Sequence, residues 1–426
     1  MSYKIVRITE VHPASALEKV LDQNPALKRM RHDELKSALF QYQLGYSDSF
    51  SDAMKRLGNE AEEIVSNSEI LLRKWAEENH VVSSEANWRA EILLAQLSKI
   101  RPDVVLLMGT NTNPEVEGQK LAEYIKKHLP SIRLILLFSG FPSKISRLRG
   151  ADIVLTGLPF MQDQYRKFGV NSILWYHSFD ERLLLTQSDR QDDEHPLNIQ
   201  FSFAGSTRAP ETRYWYLRHL VESTPIELWP YEIRDVHKRL QGLPKTVTIW
   251  EKWYRALGIQ EAKAAGGALV KRALGRRVPL NDKPMTFTRV EKPLPGETLA
   301  EMYPERCNSP VYGADYYDVL RRSRLSFNKH TDFTRNSVGN IRMFEVPGMG
   351  SCLLTDTGAN IKDLFEPDSE VVVYSRVEEA VEKVAYLLEN ENVLGRIARA
   401  GHARVLGSHT IFHRCELIDE VIRGSI

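Results

Sequence analysis

The stretch that decides the fold is Asn340–Asp356, which reads Asn-Ile-Arg-Met-Phe-Glu-Val-Pro-Gly-Met-Gly-Ser-Cys-Leu-Leu-Thr-Asp. Its first part interleaves polar and apolar residues and places Arg342 and Glu345 one turn apart on a short helix. Gly348 and Gly350 follow, where backbone without a Cβ can approach another group closely. The stretch ends in an apolar run typical of a buried strand. It predicts a helix–glycine–strand unit, although a plain surface helix with an ion pair fits the pattern equally well.

Short apolar strands alternate with helices on both sides of this stretch. Such alternation with short loops is typical of parallel, doubly wound sheets. Because 426 residues are too many for one ordinary core, we expect an α/β protein with two domains of roughly 200 residues each. The predicted strands are Lys4–Thr9, Pro102–Met108, Ile132–Phe138, Ala151–Leu155, Ser172–Trp175, Ile199–Ser206, Ile226–Trp229, a strand ending at Phe327, Cys352–Thr355 and Glu370–Tyr374.

Two long helices are predicted near the start of the chain, at Pro25–Leu44 and Asp52–Asn79. In the second, apolar residues such as Leu57, Ala61 and Ile64 recur at helix-like intervals with charges between them. This pattern indicates a surface helix with one face on the core.

The composition is that of a soluble globular protein, with 42% hydrophobic and 27% charged residues. The net charge is only +1, from 57 basic and 56 acidic residues, which argues against general nucleic-acid binding. The cysteines Cys307, Cys352 and Cys415 have neither a zinc spacing nor a disulfide pattern, which fits a reducing cytosol. The start of the chain shows no signal sequence, and no apolar run approaches the ~20 residues that span a bilayer. A cytoplasmic protein is therefore expected.

The segment Asn340–Asp356 resembles the helix–glycine–strand unit of GT-B glycosyltransferases, and most of all the CgeB-like group. The similarity is strongest over Val311–Arg414 and extends back to about Lys4. The resemblance implies that Glu345 holds the ribose of a nucleotide-sugar donor, a role that suits a carboxylate because it can accept two hydrogen bonds from a cis-diol. Many retaining members carry a second glutamate eight positions earlier, where this chain has Ser337.

An anion-binding arrangement is predicted where the strand Ile199–Ser206 meets the helix Glu211–Glu222. A strand, a glycine turn and a helix N-terminus present backbone N–H groups to a phosphate, and arginines add positive charge. The alternative for Arg213 is a solvent-facing residue of that helix. The candidate residues for a diphosphate are Gly205, Ser206, Arg208 and Arg213.

Further donor-binding residues are expected on both sides of the loop that leads into the stretch Asn340–Asp356. Asn328, Lys329 and His330 follow a strand end, where they border the donor in similar transferases, although only one of the three needs to reach it. Asn340 is expected to anchor the start of the following helix. The residues expected to shape the sugar–phosphate pocket are Asn340, Arg342, Gly348 and Gly350.

The acceptor base, if the reaction uses one, is expected from the first domain. His12 follows the first strand, and His177 lies in the loop Tyr176–Asp180 after a later strand. The alternative for each is an ordinary structural or loop histidine. GT-B enzymes usually stabilise the leaving diphosphate with basic side chains and helix N-termini. Because Asp48 and Asp192–Asp193 fall in surface regions and form no suitable metal pair, no metal site and no resident cofactor are expected.

The resemblance divides the chain into functional parts. It implies an acceptor-side Rossmann-like domain at 1–183, a linker at 184–197, a donor domain at 198–407 and a terminal helix at 408–426 that crosses back to the first domain. The donor domain carries an insertion at about 246–298. Its basic, faintly amphipathic part, 262–277, is a candidate for peripheral membrane contact, with a solvated helix or mobile insertion as the alternative.

The expected function is transfer of a sugar from a nucleoside-diphosphate sugar to a glycan, lipid-linked or protein acceptor without a metal. Inversion and retention both stay open, as does the oligomeric state. Two alternatives remain: a catalytically inactive nucleotide-sugar-binding or coat-associated protein, and a GT-B-fold nucleotide-sugar epimerase. Because Ser337 stands where many retaining members have a glutamate, the inactive protein stays an alternative.

Overall fold

The computed structural model describes most of the chain. The predicted base His12, the basic segment 262–277 and nearly all of the insertion 246–298 lie outside the described residues, as do Asp192–Asp193. The described residues are 2–11, 14–44, 47–85, 87–188, 197–208, 211–231, 294–331, 334 and 336–426.

The first half of the chain forms a parallel sheet of six strands, in the order β2-β1-β3-β4-β5-β6. Apolar residues alternate between its two faces. For example, Val6 and Ile8 pack on one face, whereas Ile5 packs on the other. The prediction of a doubly wound sheet is confirmed. The strands are β1 (Lys4–Thr9), β2 (Glu60–Val65), β3 (Val104–Met108), β4 (Leu134–Phe138), β5 (Ile153–Thr156) and β6 (Ser172–Leu174).

Helices cover both faces of this sheet. A short hairpin, Glu115–Val116 with Gln119–Lys120, precedes the sixth of them. The helices are α1 (Ala14–Gln23), α2 (His32–Gln41), α3 (Ser49–Arg56), α4 (Glu69–Glu78), α5 (Trp88–Ile100), α6 (Leu121–His128) and α7 (Pro159–Lys167).

The predicted helix Asp52–Asn79 is wrong, because the structure divides it into α3, β2 and α4. Gly58 makes the turn between α3 and β2 with φ of +85°, a conformation that favours glycine. In β2 the buried Glu63 faces Arg7 of β1, so a charged residue occupies a core position. This inward glutamate hides the alternation of the strand. The α-helix in the predicted range Pro25–Leu44 is shorter than expected. The range begins with a 3₁₀ turn, and α2 follows it.

The second half forms a parallel sheet of five strands, in the order β8-β7-β9-β10-β11. The strand order repeats that of the first sheet, so each half is a Rossmann-like unit. The strands are β7 (Ile199–Gly205), β8 (Ile226–Pro230), β9 (Ser323–Asn328), β10 (Cys352–Asp356) and β11 (Val372–Tyr374).

One helix between the two sheets overlaps the start of the predicted linker, 184–197. That helix, α8, occupies Leu183–Ser188, so the connection between the halves begins as ordered structure. The domain boundaries themselves stay a prediction. The helices are α8 (Leu183–Ser188), α9 (Glu211–Ser223), α10 (Leu299–Met302), α11 (Ala314–Arg322), α12 (Arg342–Gly348), α13 (Ile361–Leu364), α14 (Val377–Glu389), α15 (Glu391–Ser408) and α16 (Ile411–Arg423).

The last helix crosses back to the first domain, as predicted. Ile418 and Cys415 of α16 are fully buried in the core that also contains Ile5 of β1 and Phe50 of α3. Asp419 fixes the helix further, because its carboxylate accepts hydrogen bonds from the Tyr3 hydroxyl at 2.6 Å and from the amide of Asn59 at 2.8 Å. The first domain therefore contains a helix from the other end of the chain.

A second contact joins the domains at the start of α11. Gly313 has φ of +57°, and a Cβ at this position would lie 2.0 Å from the carbonyl oxygen of Tyr42 in the first domain. Only glycine fits this approach. In the described part of the chain, no helix is both long enough and apolar enough to cross a membrane.

Candidate active site

The carboxyl ends of the strands of the second sheet converge beside the gap between the domains. Gly205 ends β7, Asn328 ends β9 and Asp356 ends β10. Ligands of open parallel sheets bind at this edge. Helix α12 begins here with Arg342, and Glu345 follows one turn later.

Glu345 lies buried between two tyrosines of α11. The Tyr316 hydroxyl donates to one carboxylate oxygen at 2.8 Å, and the Tyr317 hydroxyl donates to the other at 3.0 Å. Burial raises the pKa of Glu345, and the hydrogen bond from Tyr316, the charge of Arg342 and the hydrogen bond from Tyr317 oppose that rise. Glu345 is thus a buried carboxylate fixed by two hydrogen bonds, and it does not form a surface ion pair.

A cavity of about 90 Å³ separates the domains at this point. Glu345 faces it from the second domain, opposite His177, Trp175 and Phe138 of the first. Both domains therefore line the gap that Glu345 faces.

Two arginines flank the glycine turn after β7. Arg342 donates from Nη2 to the carbonyl of Ala204 at 2.5 Å, and a Cβ at Gly205 would lie 2.6 Å from the same nitrogen. Arg213 donates to the carbonyls of Ser206 at 3.1 Å and Lys329 at 2.8 Å. Both guanidinium groups lie near the ring of Phe203. The structure thus brings together Gly205, Ser206, Arg213 and Arg342, and their role in binding a diphosphate stays a prediction.

The local charge here is positive. Burial and the neighbouring charge of Arg342 lower the pKa of Arg213 to about 10. Within the described residues, the buried Nε of Arg342 and the Oγ of Ser206 have no hydrogen-bond partner. Because like charges repel strongly where water is scarce, an anion bound at this turn would relieve both arginines.

His330 and Lys329 bind Asp356 at the end of the neighbouring strand. The His330 Nδ1 lies 2.7 Å from one Asp356 oxygen, and the Lys329 ammonium lies 2.9 Å from the other. Burial opposes ionisation of Asp356, but His330 and Lys329 outweigh it and hold the pKa of this carboxyl well below its usual value. The His330 Nε2 accepts from the backbone N–H of Gly339 at 3.0 Å, so the ring N–H points to Asp356. These two candidates therefore shape the loop before α12 in the structure.

The sequence predicts that Asn340 anchors the start of α12 as its cap, but in the structure the Asn340 side chain does not cap the helix. Its amide exchanges two hydrogen bonds with the amide of Asn328, at 2.8 Å and 3.0 Å, while Ile341 takes the N-cap position without a side-chain bond. Asn328 also donates to Thr355 on β10. The pair fixes the start of α12 to the strand ends.

Three other candidates, Arg208, Gly348 and Gly350, do not line the gap. A Cβ at Gly348 would lie 2.5 Å from the Phe179 ring, so the close approach there is to an aromatic side chain and not to a sugar or phosphate. Gly350 has φ of +85° in the turn that ends α12 before β10, away from the carboxyl ends of the strands. Arg208 donates to the carbonyls of Pro295 and Glu297. A ligand role for these residues has no support in this geometry.

His177 faces the gap from the loop after β6. Its ring packs edge-on to Phe138, with 5.3 Å between ring centroids. Burial and the charge of Arg414 lower the pKa of His177 to about 4, so the imidazole is neutral at pH 7. This neutral imidazole can accept a proton, but a pKa near 4 makes it a weak base at pH 7, since the most effective general bases have a pKa near the working pH.

Sequence reasoning did not single out Tyr316, Tyr317 or Arg7. Tyr316 and Tyr317 contact Glu345, and Arg7 lines the cavity from the middle of β1. Arg7 gave a usable signal, since a charged residue between Val6 and Ile8 interrupts an apolar strand. The tyrosines gave none, because they look like ordinary helix residues 28 and 29 positions before Glu345.

One family model matches part of the second half of the chain. Residues 287–420 match the family model described as glycosyl transferase-like. The match covers Arg342, Glu345 and the ends of β9 and β10. No curated protein matches the sequence.

Solved structures establish the fold. The Anabaena protein Alr3699/HepE, crystallised with UDP-glucose, has a TM-score of 0.54 at 10% identity, over 99% of this chain and 100% of that chain. Sucrose-phosphate synthase from Thermosynechococcus elongatus has a TM-score of 0.51 at 9% identity, over 99% and 98% of the two chains. The chain has the GT-B fold. The two Rossmann-like units, the intervening gap and the crossing helix α16 are the parts of that architecture.

Proposed function

We propose that this GT-B protein is a glycosyltransferase that takes a sugar from a nucleoside-diphosphate sugar. The observation that carries the proposal is the position of Glu345, whose carboxylate faces the gap while Arg342 on the same helix reaches the glycine turn after β7. An acidic group and a cationic turn on one wall match the ribose and the diphosphate of such a donor. The glycosyl transferase-like match over 287–420 supports the same reaction class.

Within this proposal, Arg213, Arg342 and the backbone at Gly205 and Ser206 hold the diphosphate and stabilise it as the leaving group. Cationic side chains then do the work that a metal ion does elsewhere, so the proposed reaction is metal-independent and uses no resident cofactor. The acceptor is a glycan, a lipid-linked molecule or a protein, and it enters from the first domain. The CgeB-like assignment and a cytoplasmic location, with or without peripheral membrane contact, belong to the same proposal.

The test is a panel of nucleoside-diphosphate sugars, beginning with UDP-glucose and including adenine and guanine nucleotides. Thermal shift reports binding, and release of free sugar reports slow hydrolysis. Binding with hydrolysis supports the transferase. Binding with no turnover on any acceptor favours the inactive nucleotide-sugar-binding protein, a choice that the missing carboxylate at Ser337 keeps open. Inversion at C2 of the sugar favours the epimerase, and no binding of any donor overturns the proposal.

A mutation at His177 tests the acceptor base. His177→Ala should lower kcat of transfer by about 10²–10⁴-fold while leaving donor affinity within about two-fold, because general-base catalysis contributes on that scale. Because the pKa of His177 is about 4, the imidazole stays unprotonated between pH 8 and pH 5. Protonation of His177 should therefore lower the wild-type rate only as the pH approaches 4. The measurement is initial rate against pH. An unchanged kcat in the variant would remove His177 from the mechanism and leave His12 as the remaining candidate.

A further inference from the structure

We propose that Tyr316 and Tyr317 are positioning residues that orient the Glu345 carboxylate toward the donor ribose. The inference rests on the proposed function, and it assigns a role to two residues that the donor-site pattern in the sequence does not include. Both side chains come from the first turns of α11, which packs beside α12.

The geometry of the pair is specific. Consecutive helical residues point about 100° apart, so two neighbours normally do not contact one group. Here the Glu345 carboxylate lies between the two side chains and receives one hydroxyl on each oxygen, at 2.8 Å from Tyr316 and 3.0 Å from Tyr317. The rings pack edge to face, with their centroids 5.1 Å apart, which restricts each ring. The plane of the carboxylate is therefore set from two sides.

This arrangement leaves acceptor capacity for a ligand. An ionised carboxylate offers about four acceptor sites, and the tyrosines use one on each oxygen. One site on each oxygen remains, which is the number that a cis-diol needs. The tyrosines and the ribose hydroxyls can thus bind Glu345 at the same time.

The same hydrogen bonds favour the ionised form. Burial raises the pKa of Glu345, and the tyrosines act against that rise. A protonated carboxyl would have less acceptor capacity for the diol. The other charged or titratable groups near Glu345 are Arg342 on its own helix and, around the cavity, Arg7, Tyr176, His177 and Asp180. Of these, His177 titrates near pH 4, below the range in which the effect is expected.

The position of α11 links the tyrosines to the first domain. Gly313, directly before α11, packs against the Tyr42 carbonyl across the gap. The helix that carries both hydroxyls is therefore held by the opposite wall of the cleft, which suits a pair that must keep a fixed direction.

The test is calorimetric binding of UDP, ADP and GDP to the Tyr316→Phe/Tyr317→Phe variant at pH 6 and pH 8. We expect the variant to lose more affinity relative to wild type at pH 6 than at pH 8, because losing both hydroxyls removes two hydrogen bonds that oppose the raised pKa of Glu345. Tyr303→Phe is the matched control, since Tyr303 donates to the Glu222 carboxylate at an exposed site. An equal loss of affinity at both pH values, or no loss, overturns the proposal.

A second measurement decides the matter if wild type binds none of these nucleotides, an outcome that would count against the proposed function separately. Carboxyl-¹³C glutamate NMR follows the titration of Glu345 directly, with its signal assigned through Glu345→Gln. The midpoint of this titration should lie at a higher pH in the double variant than in wild type. An unmoved midpoint in a variant with a native unfolding transition overturns the role of the tyrosines.

Discussion

Arg7→Ala should lower the free energy of unfolding by about 3–5 kcal/mol, because it leaves Glu63 buried without its counter-ion. In the folded protein the Arg7 Nε lies 2.6 Å from the Glu63 carboxylate, and both side chains are less than 5% exposed. Arg7 also donates to the Ser47 carbonyl, and its guanidinium lies 5.0 Å from the centre of the Phe50 ring. Urea denaturation followed by circular dichroism measures the loss.

The same two strands offer a matched control. Lys4 pairs with Glu60 at 2.8 Å, and both pairs are register partners in the β1–β2 ladder. The Lys4 and Glu60 side chains are 30% and 71% exposed, so water screens their attraction. Lys4→Ala should therefore cost less than about 1 kcal/mol. Similar losses for the two variants would show that burial of the Arg7 pair contributes nothing.

The pH dependence of Arg7→Ala follows from the burial of Glu63. Burial raises the pKa of Glu63 in the folded protein, and Arg7 opposes that rise. Without Arg7 the folded-state pKa moves further above the unfolded value. A carboxyl with a raised folded pKa stabilises the fold below its unfolded pKa and loses that contribution as the pH rises through the folded pKa. The deficit relative to wild type should thus grow from pH 5 to pH 8, and a constant deficit would contradict this explanation.

Glu345→Ala should weaken donor binding by roughly 2–3 kcal/mol, or about 30- to 150-fold, because two hydrogen bonds to a charged group are lost. Calorimetry with the donor that binds best in the nucleotide-sugar panel measures the effect. The same experiment with the corresponding nucleoside diphosphate shows whether the loss depends on the transferred sugar. We expect equal losses, since the contact is with the ribose.

The control for this variant is Glu378→Ala, an exposed glutamate at the start of α14 in the same domain. It should leave donor affinity unchanged. The unfolding transition of both variants needs checking, because Glu345→Ala leaves the hydroxyls of Tyr316 and Tyr317 without their acceptor. Unchanged donor affinity in a folded Glu345→Ala variant would remove the ribose assignment.

Much of the fold could be predicted from local pattern. The strands β3 and β4 are covered on both faces, so each is a continuous apolar run that the sequence displays directly. Strand β2 could not be recognised, because its inward Glu63 is acceptable only when Arg7 of another strand faces it. Charge compensation across a sheet is a tertiary fact that single-sequence periodicity does not contain.

The site divides in the same way. Gly205, Ser206 and Arg342 could be named because strand ends and helix starts are visible in the sequence, and the structure places them together. Gly348 could not be interpreted, since a glycine before a ligand and a glycine before the Phe179 ring leave the same mark in the sequence. The link between Glu345 and its tyrosines also depends on how α11 packs against α12.

The crossing helix has a consequence for biosynthesis. Ile411, Cys415, Ile418 and Ile422 complete a core whose other members come from the opposite end of the polypeptide. A ribosome releases chain from its N-terminus onward, at roughly 5–20 residues per second. The apolar surface around Ile5 and Phe50 thus stays uncovered until residues 411–423 have emerged from the exit tunnel. Nascent chains stalled earlier would present that surface to chaperones.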